Sequence, residues 1–409
     1  MELAQWKEKL DVWFNDKEPE MLTLLERIVN MDSFSHDGDD VNKVGETLAA
    51  WMAEAGFQTA RLPKRPSPPD EPWMDSLGNV FCARSQAEEA GPGVAFIGHI
   101  DTVFPAGTAA ARPFRLDRAA DRATGPGAAD MKAGLVQNMF VARALKELGL
   151  MPVPMTLTFT PDEELGSASS ASILGEQLNG AHAVLCSEAG YPGNGVTIER
   201  KGSGHMLLEI TGKAAHAGRN YEEGASAILE LAHNILAFNE HLDLTNGTTV
   251  NTGLISGGIS ANSVAPNAWA RLHLSFARLE DGLALADRVR EETACCKVPG
   301  THAHVSGGVR LPPLETTPTV RQLYELAAHA GECLDYYIHA EHSKGAAESG
   351  YCSSVLGLPV LCSMGPEGAD MHSPAEYFRP STLIPRCKLM ALTALQAAHV
   401  FTAAPKARL

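Results

Sequence analysis

Apolar positions recur along this chain with two periods, and the alternation between them predicts its elements. Val41, Val44, Leu48 and Trp51 are spaced by three or four, which predicts an amphipathic helix over 40–55. Helices over Glu2 to Phe14 and Pro19 to Asn30 are expected before it. The stretch 64-KRPSPPDEPWMDSLGN-79 is proline-rich and polar, hence a loop. Short apolar runs at 80-VFC-82, 93-GVAFIGH-99, 153-VPMTLTFT-160 and 182-HAVLCSE-188 then read as strands, with helices near Lys132 to Leu148 and Ser169 to Leu178 among them. Strands alternating with helices predict an α/β domain built on a mostly parallel sheet.

The texture changes near Lys201. Residues 204-GHMLLEITG-212 read as a strand, and 221-YEEGASAILELAHNILAFNEHL-242 is helical in period. After 248-TTVNTGLISGG-258, the run 269-WARLHLSFAR-278 alternates strictly, with Leu272, Leu274 and Phe276 on one face and Arg271, His273 and Ser275 on the other. A helix around Leu283 to Ala294 and a strand around His304 to Val309 complete β-α-β-β-α-β, the ferredoxin-like pattern. From Val320 the α/β alternation resumes: helix 320–331, strand 335-DYYIHA-340, helix near Gly350 to Leu356, strand 359-PVLCSM-364 and a terminal helix from Pro385 to Thr402. The expectation is one α/β domain, residues 1–199 and 313–409, interrupted by a smaller α+β domain at 200–312.

Composition narrows the function. At 409 residues with 44% hydrophobic and 20% charged positions, the chain has enough apolar material for two cores. A net charge of −16 leaves no basic excess to neutralise phosphates, so a general nucleic-acid binder is excluded. No apolar run approaches about 18 residues, and the opening residues lack a signal-peptide core. A cytoplasmic protein without membrane association is expected. The eight cysteines are scattered with no CxxC, which argues for reduced thiols and leaves His, Asp and Glu to hold any metal.

Polar residues gather where the strands end. His99 and Asp101 follow 93-GVAFIGH-99, and an i, i+2 pair in extended chain points both side chains to one side, so Asp101 can hold His99 from behind. Asp130 lies in 125-GPGAADMKAG-134, a glycine-rich turn without the GxxxxGK[ST] phosphate-loop pattern. Glu163 and Glu164 close the strand that ends 160-TPDEELGS-167, Glu188 ends 184-VLCSE-188, and His372 sits in 365-GPEGADMHSPAEYF-378. Parallel α/β sheets collect ligand-binding groups at the carboxyl ends of their strands. His99, Asp101, Asp130, Glu163, Glu164, Glu188 and His372 form an oxygen and nitrogen donor set that suits zinc, with manganese or cobalt as alternatives. Seven groups suffice for two divalent ions sharing a bridging carboxylate. Two such ions can lower the pKa of a water between them and polarise an amide carbonyl, while a neighbouring carboxylate moves the proton.

In this order the motifs 98-GHIDTV-103, 125-GPGAADMKAG-134, 160-TPDEELGS-167, Glu188, 213-KAAHAG-218 and 371-MHSPAEY-377 resemble the co-catalytic zinc peptidase and aminoacylase family, over nearly the whole chain. That family includes acetylornithine deacetylase, succinyl-diaminopimelate desuccinylase and bacterial glutamate carboxypeptidases. The resemblance implies a metallopeptidase domain with an inserted dimerisation domain. It implies that His99, Asp130 and Glu188 hold one ion and that Glu164 and His372 hold the other, with Asp130 bridging. Glu163 would be the general base, Asp101 would orient His99, and His216 of the inserted domain would stabilise the transition state in the partner subunit of a homodimer. Asn262 resembles the family's substrate-contacting asparagine.

Two departures from the family pattern bear on substrate. Relatives follow the asparagine with Asp-x-Arg at a strand end; here His273 and Ser275 align, and Arg278 lies three residues beyond. Arg278, Arg310 and Lys344 are the candidate contacts for a substrate carboxylate. Relatives often carry a glycine-rich Ser-Asp segment where this chain has 344-KGAAESGYCSS-354, which puts Glu348 near the expected substrate pocket. The expected activity is hydrolysis of an amide bond in an N-acyl amino acid or short peptide, of the glutamate-carboxypeptidase kind. The alternatives are a deacylase or aminohydrolase acting on an unusual small amide or amine, and a non-catalytic binding or scaffold protein that kept the fold.

Overall fold

The computed structural model describes residues 2–87 and 90–402. The expected domain limits at residues 1 and 409 therefore lie outside the described residues. The chain divides into two compact units: one runs to Glu199 and continues through Leu314–Ser343 and from Glu348 onward, the other is Arg200–Pro313 with Lys344–Ala347.

The first unit is built on a six-stranded sheet. In spatial order its strands are Gln58–Leu62, Val80–Arg84, Met155–Thr160, Val94–His99, Ala183–Cys186 and Val360–Leu361. The last three pairings are parallel and the first two antiparallel, so the sheet is mixed rather than mostly parallel. Val94–His99 and Met155–Thr160 are buried at every position, as expected of central strands covered on both faces. One cover is the helix Ala133–Glu147, whose residues are nearly all buried; the helix Leu383–Val400 is also largely buried up to Ala398. His99 pairs with Thr160, so those two strands end at one level, and the Ala183–Cys186 strand ends two residues short of them, opposite Ile97. Gly134, at the start of the helix, lies so close to the Ser187 carbonyl that a Cβ would meet its oxygen at 1.9 Å.

Other differences from expectation have local causes. Gln58–Leu62 is an edge strand with four exposed positions, so no apolar alternation marks it. The helix expected to end at Gly331 runs from Pro318 to Cys333, and the following strand starts only at His339. Residues 359–364 pair over Val360–Leu361 alone, and the helix expected near Gly350 is one wide turn, Tyr351–Val355. Short strands also form a separate sheet, Arg115–Asp117, Arg122–Thr124, Tyr377–Phe378 and Gly368–Ala369, which holds the segment after His372.

The second unit carries a four-stranded antiparallel sheet, ordered Thr249–Gly257, Asn267–Phe276, Gly202–Thr211 and His302–Leu311. With helices Ala227–Asn239 and Leu279–Ala294 it has the ferredoxin-like order of elements. Leu208, Ala270, Leu272, Leu274 and Phe276 form its core with Leu231, Phe238, Leu285 and Val289 from the helices. No helix among the described residues is long and apolar enough to cross a membrane.

Candidate metal centre

Asp130 stands at the centre of the cluster. Its Oδ1 lies 3.1 Å from His99 Nε2 and its Oδ2 lies 3.1 Å from His372 Nε2. Glu188 Oε1 is 3.6 Å from the same His99 nitrogen, and Glu164 Oε2 is 3.1 Å from the same His372 nitrogen. Two triads result, His99–Asp130–Glu188 and Asp130–Glu164–His372, each with donor atoms within 4.8 Å of one another. They share Asp130 alone.

Local backbone explains these directions. His99 is the last residue of its strand, Glu163 and Glu164 open a short 3-10 turn one strand over, and Glu188 lies two residues past the Ala183–Cys186 strand. Asp130 follows Gly127, whose φ of +71 marks a left-handed turn, and the Asp130–Met131 peptide is cis. His372 itself has φ +61 in an exposed loop. Arg112 anchors that loop by donating to the carbonyls of Ser373 (3.2 Å) and Pro374 (2.6 Å). Arg122 stacks 3.6 Å from the centre of the Tyr377 ring.

Asp101 is fully buried and holds more than His99. Its Oδ1 is 3.3 Å from His99 Nδ1. Its two oxygens also accept the backbone N–H groups of Glu163 and Glu164, each at 3.2 Å, and Oδ2 accepts the Ser35 hydroxyl at 2.7 Å. His99 Nδ1 lies 3.1 Å from the backbone carbonyl of Asp101. A carbonyl only accepts, so Nδ1 carries a proton; with a cation bound, the Nε2 lone pair would be the ligand.

Charge in the cluster is short on the positive side. Burial raises the pKa of Glu163 well above the usual carboxylate value, with Glu188, Glu164 and Glu348 adding repulsion. Burial also raises Glu164. Burial opposes charge on His99, but its bonds to Asp101 and Asp130 outweigh this and hold its pKa well above normal. Hydrogen bonds donated to Asp130 and Glu164 raise His372 to about 11. For Asp130 burial favours the neutral acid, and the two histidines overcome it and hold the carboxyl well below its usual range. Glu164 Oε1 is buried without a hydrogen-bond partner among the described residues. Five carboxylates (Asp101, Asp130, Glu163, Glu164 and Glu188) against two imidazoles, a carboxylate turning one oxygen to each triad and an orphaned buried oxygen fit a pair of divalent cations.

Some residues of this site carry no signal of their own in the sequence. Glu376 is buried, and its Oε1 accepts the N–H groups of Ala129 (2.9 Å) and Asp130 (3.2 Å), fixing the turn that presents the shared carboxylate. Burial, then the Asp130 charge, raises its pKa to about 7. Glu376 lies inside 371-MHSPAEY-377, four residues from His372, but nothing local marks it as a backbone clamp. Ser35 is equally silent.

Glu348 belongs to the first unit, is 3% exposed, and has both oxygens hydrogen-bonded to Thr160 and Ser167. Burial raises its pKa to about 7. The other expected residues belong to the second unit. There His216 and Asn262 occupy adjoining segments: Ala217 N–H donates to the Asn262 carbonyl at 3.0 Å, and His216 bridges Ser263. His216 is exposed, and its Nδ1 accepts the Gly218 N–H at 3.2 Å, which leaves Nε2 as the proton-bearing nitrogen of the neutral ring. Arg278 sits past the strand at a helix start, paired with Glu280 at 2.7 Å. Arg310 lies on the strand His302–Leu311, and Lys344 is exposed.

The profile of Peptidase family M20/M25/M40 matches residues 95–396. Carboxypeptidase G2 of Pseudomonas sp. (strain RS-16) is 27% identical over 388 residues, covering 92% of this chain and 88% of that protein. Acetylornithine deacetylase of Edwardsiella ictaluri is 27% identical over 405 residues, covering 92% of this chain and 97% of that protein. A solved structure of an M20 family metallo-carboxypeptidase from Sulfolobus solfataricus superposes with a TM-score of 0.73 at 15% identity, covering 93% of this chain and 100% of that one. That likeness establishes the shared fold.

Proposed function

The chain belongs to peptidase family M20/M25/M40, a family of metallohydrolases, and on that premise we propose that it releases an amino acid from an N-acyl amino acid or short peptide. The observation that carries the reading is Asp130, with one oxygen turned to each of two histidines in separate triads. In this reading His99, Asp130 and Glu188 hold one ion, and Asp130, Glu164 and His372 hold the second. A nitrogen and oxygen donor set without thiolate suits zinc, with manganese or cobalt as alternatives. The bound ions supply an activated water and a polarised amide carbonyl.

The chain's own residues divide the remaining work. Glu163 takes the proton from the attacking water and passes it to the leaving amine nitrogen, so the amide C–N bond breaks without releasing an amide anion. Asp101 holds the Glu163–Glu164 turn by its backbone and keeps the His99 proton on Nδ1. Opposite tasks explain adjacent glutamates: one ligates, its neighbour moves the proton. His216 donates from Nε2 to the oxygen on which charge develops. Asn262 contacts substrate beside it, and Arg310, Lys344 and Arg278 are the candidate carboxylate partners.

The same reading makes the second unit a dimerisation domain, with His216 serving the partner subunit's site. Support comes from its surface. Strand Thr249–Gly257 is a sheet edge with Leu254 and Ile255 at 58% and 61% exposure, and the helix Ala227–Asn239 exposes Leu236 at 68%. Exposed apolar edges invite pairing with another chain. Glutamate-carboxypeptidase-like activity is the first choice, by the likeness to a carboxypeptidase over most of both chains; a deacylase is the second, by the likeness to acetylornithine deacetylase. The eight free cysteines suit a reducing cytoplasm. The deciding experiment assays zinc-loaded protein against a panel of N-acyl amino acids and dipeptides. Hydrolysis of C-terminal glutamate substrates supports the first choice, hydrolysis of N-acetyl amino acids the second, and inertness towards all of them rejects the substrate class.

A further inference from the structure

Glu348 was expected beside a substrate, yet its surroundings give it a different task. Its Oε2 accepts the Thr160 hydroxyl at 2.7 Å and its Oε1 accepts the Ser167 hydroxyl at 2.8 Å. Those two residues bracket the turn that carries Glu163 and Glu164. Thr160 is the last residue of its strand, and Ser167 follows the 3-10 turn with φ +52, a left-handed conformation uncommon for serine. Within the turn, Gly166 N–H donates to Glu163 O at 2.7 Å and Ser167 N–H to Asp162 O at 2.8 Å. Asp101 grips the turn by the N–H groups of Glu163 and Glu164. Ser169 N–H also donates to Asp162 Oδ2 at 2.7 Å, and Glu348 ties the exit from the turn to the strand end through the side chains of Thr160 and Ser167. Thr160, Ser167 and Glu348 are all buried. With both oxygens engaged by protein hydroxyls, the carboxylate is committed to the protein.

We infer that Glu348 is a positioning residue that staples the two ends of the Glu163–Glu164 turn and so sets where the base and the ligand point. The inference rests on the reading of Glu163 as base and Glu164 as ligand, and it moves Glu348 out of the substrate-contacting set. A glutamine at 348 preserves the staple, because its carbonyl accepts from one hydroxyl and its NH2 donates to the other. An alanine removes both arms.

The test compares wild type, Glu348→Ala, Glu348→Gln and Ser167→Ala as full-length protein. Hydrogen exchange of the metal-free protein reads the amides of 163–167. Titration with Zn2+ against a chromophoric chelator reads the Glu164 site. Steady-state kinetics on the best amide from the substrate panel separates kcat from KM. Glu348→Ala is expected to speed exchange in 163–167 while the strands Val94–His99 and Ala183–Cys186 stay protected. It should lower zinc affinity and kcat by about tenfold to a hundredfold at unchanged KM. Glu348→Gln should recover most of each loss. Ser167→Ala removes one arm and should shift the same readouts in the same direction; it decides the matter if Glu348→Ala does not fold. Unchanged exchange in 163–167, glutamine as damaging as alanine, or a rise in KM alone would each overturn the inference, the last by returning Glu348 to a substrate contact. If wild type hydrolyses no amide, the proposed activity fails, while exchange and zinc binding still judge the staple.

Discussion

Replacing Asp101 by asparagine is the sharpest probe of how this centre is built. The change is nearly isosteric, but asparagine has one acceptor oxygen where aspartate has two. In the structure the two oxygens of Asp101 receive different backbone donors, Glu163 N–H and Glu164 N–H, each at 3.2 Å. Whichever way the amide is turned, one of these N–H groups faces an NH2 and loses its partner. Asp101 is fully buried, so water does not replace the lost bond. An orphaned buried donor costs about 1–3 kcal/mol, and the bond lost to a charged acceptor is of the stronger kind. Metal-free Asp101→Asn should therefore unfold in urea with stability reduced by about 1–3 kcal/mol and an unchanged denaturant slope. Asp101→Ala, which orphans both donors, should lose more.

The same geometry says where function suffers. His99 Nδ1 keeps the backbone carbonyl of residue 101 at 3.1 Å after the substitution, so its tautomer survives. The damage falls on the turn that presents Glu163 and Glu164. Zinc affinity at the Glu164–His372 site should drop more than at the His99–Glu188 site, within the roughly tenfold to hundredfold loss usual for residues behind metal ligands. Stepwise calorimetric titration of the metal-free protein with Zn2+ separates the two sites. Loss confined to the His99 site would refute the reasoning, because it would make Asp101 a partner of the imidazole alone. Wild-type stability in Asp101→Asn would refute it too.

Glu163→Gln should lower turnover by about two to four orders of magnitude while elemental analysis still finds the wild-type metal content; Glu164→Gln should lose metal as well, and the opposite pattern would reverse the two roles. Chelation should abolish hydrolysis and lower the thermal midpoint, and zinc at about a hundred times its Kd should restore roughly 2.7 kcal/mol of stability. Elemental analysis showing no metal in active protein would reject the two-ion site. His216→Ala should cost about a hundredfold to a thousandfold in turnover with metal content and assembly intact. Mixing it with Glu163→Gln under subunit exchange should recover activity, and a demonstrated heterodimer without recovery would reject the cross-subunit role.

What the sequence displays is position along the chain; what it hides is pairing across it. The strand ends were legible because buried runs such as 155-MTLTFT-160 stop abruptly at charge, and parallel register then carries His99 and Thr160 to one level. The ferredoxin-like unit was legible for the same reason, since 269-WARLHLSFAR-278 shows its two faces residue by residue. The edge strand Gln58–Leu62 was not, because an exposed edge needs no apolar alternation. Clamps were the least visible. Glu376 reaches the backbone of Ala129 and Asp130 across 247 and 246 positions, and Glu348 reaches Thr160 and Ser167 across 188 and 181. A glutamate that grips backbone or hydroxyls far along the chain has the same local signature as one that meets a substrate. Asp101 shows the intermediate case. The i, i+2 spacing put it behind His99, where its carboxylate lies, but not on the two N–H groups 62 and 63 residues away that take both its oxygens. Strand ends announce His99, Glu163, Glu164 and Glu188 as candidates; the carboxylate that holds the glutamate turn from 62 and 63 residues away is found only once the strands are paired.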